Sequence, residues 1–212
     1  MENQKRDFDR VAATWDEEPR RVMLAKTVAA RILEHIPVTS MMDAADYGCG
    51  TGLLTLEIQP HVRSIIGLDS SAGMMEVLNA KIRERGIENA SARILDLETE
   101  TPEEGQFDLI VSNMTFHHVK DTARLIGKLH TMLRPGGYLA IADLDTENGD
   151  FHADKTGIHH FGFDRDALAD LFCLGGFKDV RTADVVSFTR EVDGKGPQDF
   201  SLFLAYGSRA QD

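Results

Sequence analysis

Cysteine is nearly absent from this chain: two in 212 residues, Cys49 and Cys173. With no C-x-x-C pair and neither thiol placed for a bridge, a disulfide framework and a cysteine metal site drop out, and both side chains read as small apolar filler. Basic residues are also scarce, 23 Lys and Arg against 35 Asp and Glu, for a formal net charge of −12. That balance opposes nucleic-acid binding, which depends on neutralising phosphates, so Arg20-Arg21 and Lys81–Arg85 read as solvated helix faces. No apolar run approaches the ~20 residues of a membrane helix. The polar start Met1-Glu2-Asn3-Gln4-Lys5 does not have the pattern of a signal peptide. The expectations are a small-molecule substrate, no nucleic acid, no membrane and a cytoplasmic setting; oligomeric state is not legible.

What the chain does have is concentrated in one loop. Asp46-Tyr47-Gly48-Cys49-Gly50-Thr51-Gly52 carries alternate glycines, which let the backbone leave a strand sharply and approach a ligand that Cβ atoms would obstruct. A dinucleotide fingerprint runs G-x-G-x-x-G, its third glycine packing helix on strand while the helix N-terminus faces a pyrophosphate. Here Leu53 takes that third place and the spacing is G-x-G-x-G. Asp46 would oppose a phosphate but suits an ammonium group. Asp69 follows Ile65-Ile66-Gly67-Leu68, about 20 residues beyond the loop's start, where an acid accepts ribose hydroxyls. Ribose, cationic groups and no phosphate fit S-adenosylmethionine.

These motifs resemble the class I S-adenosylmethionine-dependent methyltransferases, particularly their small-molecule and quinone-type branches, over most of the chain, roughly Phe8 to Tyr206. The family's D-x-G-C-G-T-G stands at Asp46 to Gly52. Its acidic second-strand end stands at Gly67-Leu68-Asp69-Ser70-Ser71, followed by Met74, and its adenine-side acid at Asp96 in Ile94-Leu95-Asp96-Leu97. The fourth strand, Phe107 to Asn113, runs into Met114-Thr115-Phe116-His117-His118-Val119, and Leu133-Arg134-Pro135-Gly136-Gly137 announces the fifth. The resemblance implies a Rossmann-like α/β fold: a seven-stranded, mostly parallel sheet of order 3-2-1-4-5-7-6 with one antiparallel strand, helices on both faces, and an N-terminal helical cap. It also implies methyl transfer from S-adenosyl-L-methionine to a small acceptor, cyclic or aromatic. The [DNS]-P-P-[FYW] signature of nucleic-acid amino methylation is missing from Asn113-Met114-Thr115-Phe116, and neither cysteine follows a proline as a cytosine-C5 nucleophile would. A catalytically silent regulatory module that binds the cofactor is the alternative, because binding residues are clearer than any catalytic one.

The patterning agrees with that fold. Val22, Ala25, Ala29, Ile32, Leu33 and Ile36 keep a helical stripe ended by Pro37. From Met41 onward strand and helix signals alternate, as a parallel sheet covered on both faces requires. Strands are predicted at Met42–Tyr47, Ile65–Leu68, Ala92–Leu95, Phe107–Ser112 and Tyr138–Ala142. Asp164 caps a helix through Leu174, and Val180–Val192 and Asp199–Ser208, joined by a turn-rich link, suit an antiparallel pair. One domain is expected over 1–212: a cap over 1–40, a cofactor-binding core over 41–143, a substrate lid over 144–163, and a C-terminal helix with the strand pair over 164–212.

The implied cofactor site comprises Trp15, Asp46, Gly48, Cys49, Gly50, Gly52, Asp69, Ser70, Met74, Asp96, Leu97 and Asn113, with no metal. Each acid also has a structural reading; Asp96, for one, could cap a turn. Methyl transfer mainly needs the nucleophile brought onto the methyl axis, but a phenol, amine or activated carbon must also lose a proton, and histidine titrates in the right range. The resemblance favours His118 over His117 as the catalytic base, while His152, His159 and His160 in the lid are further candidates.

Overall fold

The computed structural model describes residues 7–211, so the Met1–Lys5 stretch lies outside them. A 3-10 segment, Asp9–Glu17, leads into helix α1, Pro19–His35, which starts on a proline and is capped by the Glu18 side chain accepting from the Arg20 N–H. The alternating part then runs β1 (Asp43–Tyr47), α2 (Leu53–Ile58), β2 (Ser64–Asp69), α3 (Ala72–Glu84), β3 (Ala90–Ile94), β4 (Phe107–Asn113), α4 (Thr122–Met132) and β5 (Leu133–Leu144). Helix α5 (Arg165–Leu174) and the strands β6 (Phe177–Val192) and β7 (Gly196–Arg209) complete it. The strand order is β3-β2-β1-β4-β5-β7-β6. Strand β7 is antiparallel to both its neighbours, and the other pairings are parallel.

Period-2 alternation divides the sheet between two cores. Ala45, Ile110, Leu139 and Ile141 pack with α4 and α5, whereas Ala44, Leu109, Val111 and Ala140 pack with α1 and α2. Strand β1 is weak by propensity, yet it lies between β2 and β4 with Ala44 and Ala45 fully buried, so tertiary position overrides its composition.

Several strand ends shift by one to three residues, and both ends of β5 differ from the sequence expectation in a way that bears on the site. Pro135-Gly136-Gly137 does not delay β5: Leu133 already pairs with Phe107, and the extra residues before Tyr138 are absorbed as an irregularity. At its other end β5 continues through Asp143 and Leu144, which pair with Phe203 and Leu202. That extension carries an acid into the interior beside the crevice.

Candidate active site

Strand order reverses across β1, so the carboxyl ends of β2, β1 and β4 surround one crevice, where ligands of open α/β sheets bind. A cavity of about 430 Å³ opens there. Of the expected cofactor residues, Trp15, Asp46, Gly48, Cys49, Gly50, Asp69, Ser70, Met74, Asp96 and Asn113 line it. Gly52 and Leu97 do not. Gly52 is the left-handed residue (φ +81°) preceding α2, and a Cβ there would stand 2.3 Å from Leu78, so it serves helix packing. The Leu97 side chain is buried in the core, and its carbonyl accepts from Lys128 Nζ at 2.5 Å.

The loop is shaped for close approach. Gly48 has φ +68°, and a Cβ on it would lie 2.2 Å from Thr115 Cγ2. Opposite it, Met114 holds φ +56°, an unusual conformation for a residue with a side chain, at the turn where β4 reaches the cavity. Asp69 accepts from the Gly50 and Ser71 N–H groups, both at 2.9 Å, which ties the second strand's acid to the glycine loop. Asp96 lines the cavity and also accepts from Glu98 N–H at 3.0 Å, so its cavity and turn roles coexist.

Asp46 is the buried charge of the site. Its Oδ2 accepts from Thr55 Oγ1 at 2.6 Å, while Oδ1 is buried without a partner. Burial pushes its carboxyl up to about 7; the Thr55 bond opposes the rise and the Asp69 charge adds to it. An unsatisfied carboxylate oxygen on a cavity wall fits a cationic group, and with the Gly48 cradle and Asp69 it gives the donor and acceptor set that S-adenosylmethionine needs. Asn113 Oδ1 is likewise buried without a partner. Burial makes Cys49 an inert thiol, with its pKa raised and the charges of Asp46 and Asp69 adding to the shift.

The histidines separate by environment. His117 is buried; its Nδ1 lies 2.7 Å from Asp143 Oδ1, and its Nε2 has no hydrogen-bond partner. Burial would raise Asp143, but the His117 charge and hydrogen bond, with the Leu144 and His117 N–H groups, hold it below the usual carboxylate value. His118 Nδ1 donates to Gly157 O at 2.9 Å, and its ring meets Phe8 edge-on at 5.2 Å. His152 stacks obliquely on His117 with centroids 4.8 Å apart, and all three rings line the cavity. His159 and His160 instead donate their backbone N–H groups to His117 O at 2.9 and 3.2 Å and hold that turn in place.

The N-terminal segment does close over the loop. Asp9 accepts from Ser71 Oγ and from Gly73 N–H at 2.9 Å; Asp16 accepts from Thr51 Oγ1 at 2.5 Å and pairs with Lys81. The reading of Arg20-Arg21 as a solvated face is corrected, because both line the cavity. Arg21 lies 3.7 Å over the Trp15 ring and donates to the Trp15 carbonyl, so the one tryptophan is held from both sides of the turn. Asp143 carried no motif, and Asp9 and Asp16 lie in the segment expected to cap the core, where only pairing across the fold shows what each one holds.

A family model described as a methyltransferase domain matches residues 24–182. An uncharacterised methyltransferase of Schizosaccharomyces pombe is 37% identical over 148 residues, covering 63% of this chain and 52% of that protein. Trans-aconitate 2-methyltransferase of Deinococcus radiodurans is 34% identical over 120 residues, covering 55% and 44%. The match thus spans about half the length of these relatives. Among solved structures, Haemonchus contortus phosphoethanolamine N-methyltransferase 2 in complex with S-adenosyl-L-methionine superposes with a TM-score of 0.71 at 14% identity, covering 96% of this chain and 60% of that one.

Proposed function

The chain belongs to the methyltransferase domain family and has the class I S-adenosylmethionine-dependent fold, and on that premise we propose that it methylates a small-molecule acceptor with His117 as the general base. The observation that carries this reading is His117, which lines the same cavity as the glycine loop, Asp46 and Asp69 and is held from the interior by Asp143. Relatives named for small acceptors, such as trans-aconitate, support it. A silent regulatory module has no comparable support, since cofactor sensing alone gives a buried, oriented imidazole nothing to do.

S-adenosylmethionine, when bound, supplies a methyl group on a sulfonium, already activated for in-line displacement. The chain's residues bind, orient and deprotonate around it. Asp69 accepts the ribose hydroxyls, Asp46 faces the ammonium group, and Asp96 serves the adenine side. Asp143 keeps the His117 proton on Nδ1, so that Nε2 presents a lone pair to the acceptor's O–H or N–H as the new bond to the methyl carbon forms. His118, whose Nδ1 is tied to Gly157, then acts as cavity wall with Phe8.

The test is incubation with metabolite extract and isotopically labelled methyl donor, followed by mass spectrometry. Labelled small-molecule product and S-adenosylhomocysteine are expected. Cofactor binding without turnover across extracts would leave the regulatory reading instead.

A further inference from the structure

Two arginines in the cavity wall are not used by the chemistry above. Arg20, at the start of α1, has its guanidinium carbon 5.8 Å from the centroids of both Phe151 and Phe188. Arg190, on β6, lies 5.1 Å from the Phe151 centroid and 5.7 Å from that of Phe200, with one N–H on the Asp150 carbonyl at 3.1 Å. Both line the cavity, and among the described residues neither makes an ion pair. In a chain of net charge −12, two unpaired cations flanking one aromatic ring are an unusual arrangement. Burial, and then the Arg20 charge, hold the Arg190 pKa below its ordinary value; Glu147 and Glu18 pull the other way, though neither pairs with it. Nearby Glu147 holds its Oε2 on the N–H groups of Asp150 and Phe151, and its Oε1 is buried with no hydrogen-bond partner, so this carboxylate acts on Arg190 without pairing with it.

Like charges held near each other on a partly desolvated wall favour an anion between them, and guanidinium forks match an oxyanion bidentately. We propose that the methyl acceptor carries a carboxylate or phosphate group, and that Arg20 and Arg190 hold that oxyanion beside the Phe151 ring. The inference rests on the reading of this cavity as the methyl-transfer site. The anion is an anchor, and the reacting atom lies elsewhere on the same molecule, toward His117. An acceptor with an apolar or aromatic body and an acidic end suits a wall of this composition.

The experiment uses the full chain saturated with S-adenosylhomocysteine, whose own binding is followed by calorimetry, and titrates benzoate, phenyl phosphate and the neutral isostere benzyl alcohol. At least one anion is expected to bind about tenfold or more tighter than benzyl alcohol, and Arg20→Gln and Arg190→Gln are each expected to remove about tenfold of that preference. Arg190→Lys, which keeps the charge and loses the fork, should fall between and covers the case in which Arg190→Gln does not fold. S-adenosylhomocysteine affinity should stay within about threefold in these variants. Equal binding of the neutral isostere, no binding of either anion, or anion affinity indifferent to both substitutions overturns the proposal. Failure of the wild type to bind S-adenosylhomocysteine overturns the cofactor reading instead, and the same titration without it then tests the clamp on its own. The anion bound more tightly, benzoate or phenyl phosphate, identifies the group.

Discussion

His117 Nδ1 lies 2.7 Å from Asp143 Oδ1, and both side chains are almost wholly buried, which orients the imidazole and, in the neutral ring, keeps the proton on Nδ1 and leaves Nε2 as the acceptor atom. Geometry of this kind gives a base an orientation before any acceptor arrives. His117→Ala should lower kcat by about 10²–10⁴-fold while cofactor affinity stays within a few-fold. Asp143→Asn, which no longer enforces the tautomer, should lower kcat by at least about tenfold. His118→Ala should cost less than either. A steady-state comparison of the three variants decides the assignment, and a larger loss at His118 would return the role to it.

The second prediction concerns the ribose. Asp69 is already aligned by two backbone N–H groups at 2.9 Å, so little reorganisation opposes ligand binding. Asp69→Ala should weaken S-adenosylhomocysteine by about 2–4 kcal/mol, roughly 30- to 1,000-fold. Calorimetry on a variant with an unchanged circular dichroism spectrum measures it. Unaltered affinity would place the ribose elsewhere.

The third prediction concerns protons. Burial sets the Asp46 carboxyl at about 7, so below that pH it is largely neutral. A ligand ammonium favours the carboxylate, so binding at pH 6 should release a proton, and affinity should rise as pH increases toward 7 and then level off. For folding alone the sign is opposite: a carboxyl raised above its unfolded value costs stability as pH climbs from about 4 to 7. Calorimetry at pH 6 in buffers of different ionisation enthalpy counts the proton, and Asp46→Asn should abolish it. Zero release in the wild type would mean that Asp46 does not face the cation.

Much of the fold and the cofactor side was readable because the determinants are local. The glycine loop needs positive φ at Gly48 and Gly50, and the acids at strand ends follow it at short spacings. The acceptor side was not readable, because its residues meet only through the sheet. Asp143 is 26 positions from His117, and it reaches that ring because β5 continues past its expected end at Ala142, paired there with β7. Arg190 falls on the half-buried face of β6 with Phe188 and Val192, a place where an arginine carries no motif, and Arg20 opens a helix whose stripe begins later. Their shared partner, Phe151, lies in the connection after β5, where no periodicity applies.

The last prediction concerns closure of the N-terminal segment. Asp16 anchors it through two contacts of different strength: the Asp16–Lys81 pair is partly exposed and worth at most about 1 kcal/mol, whereas the charge-assisted bond from Thr51 Oγ1 to Asp16 adds about 1.5–3 kcal/mol. Thr51 lies in the glycine loop, so loss of this anchor should loosen the lid where it meets the cofactor. Asp16→Ala should therefore speed S-adenosylhomocysteine dissociation by about 5- to 30-fold, with a smaller change in association rate. Asp9→Ala, which releases the same segment from Ser71 and Gly73 without touching the loop, should shift the rate in the same direction. Trp15 is the chain's only tryptophan and lines the cavity beneath Arg21, so its emission should change on ligand binding and report both rates by stopped flow. If Trp15 emission were unaltered at saturation, or both variants released ligand at the wild-type rate, the segment would be packing on the core without gating the site.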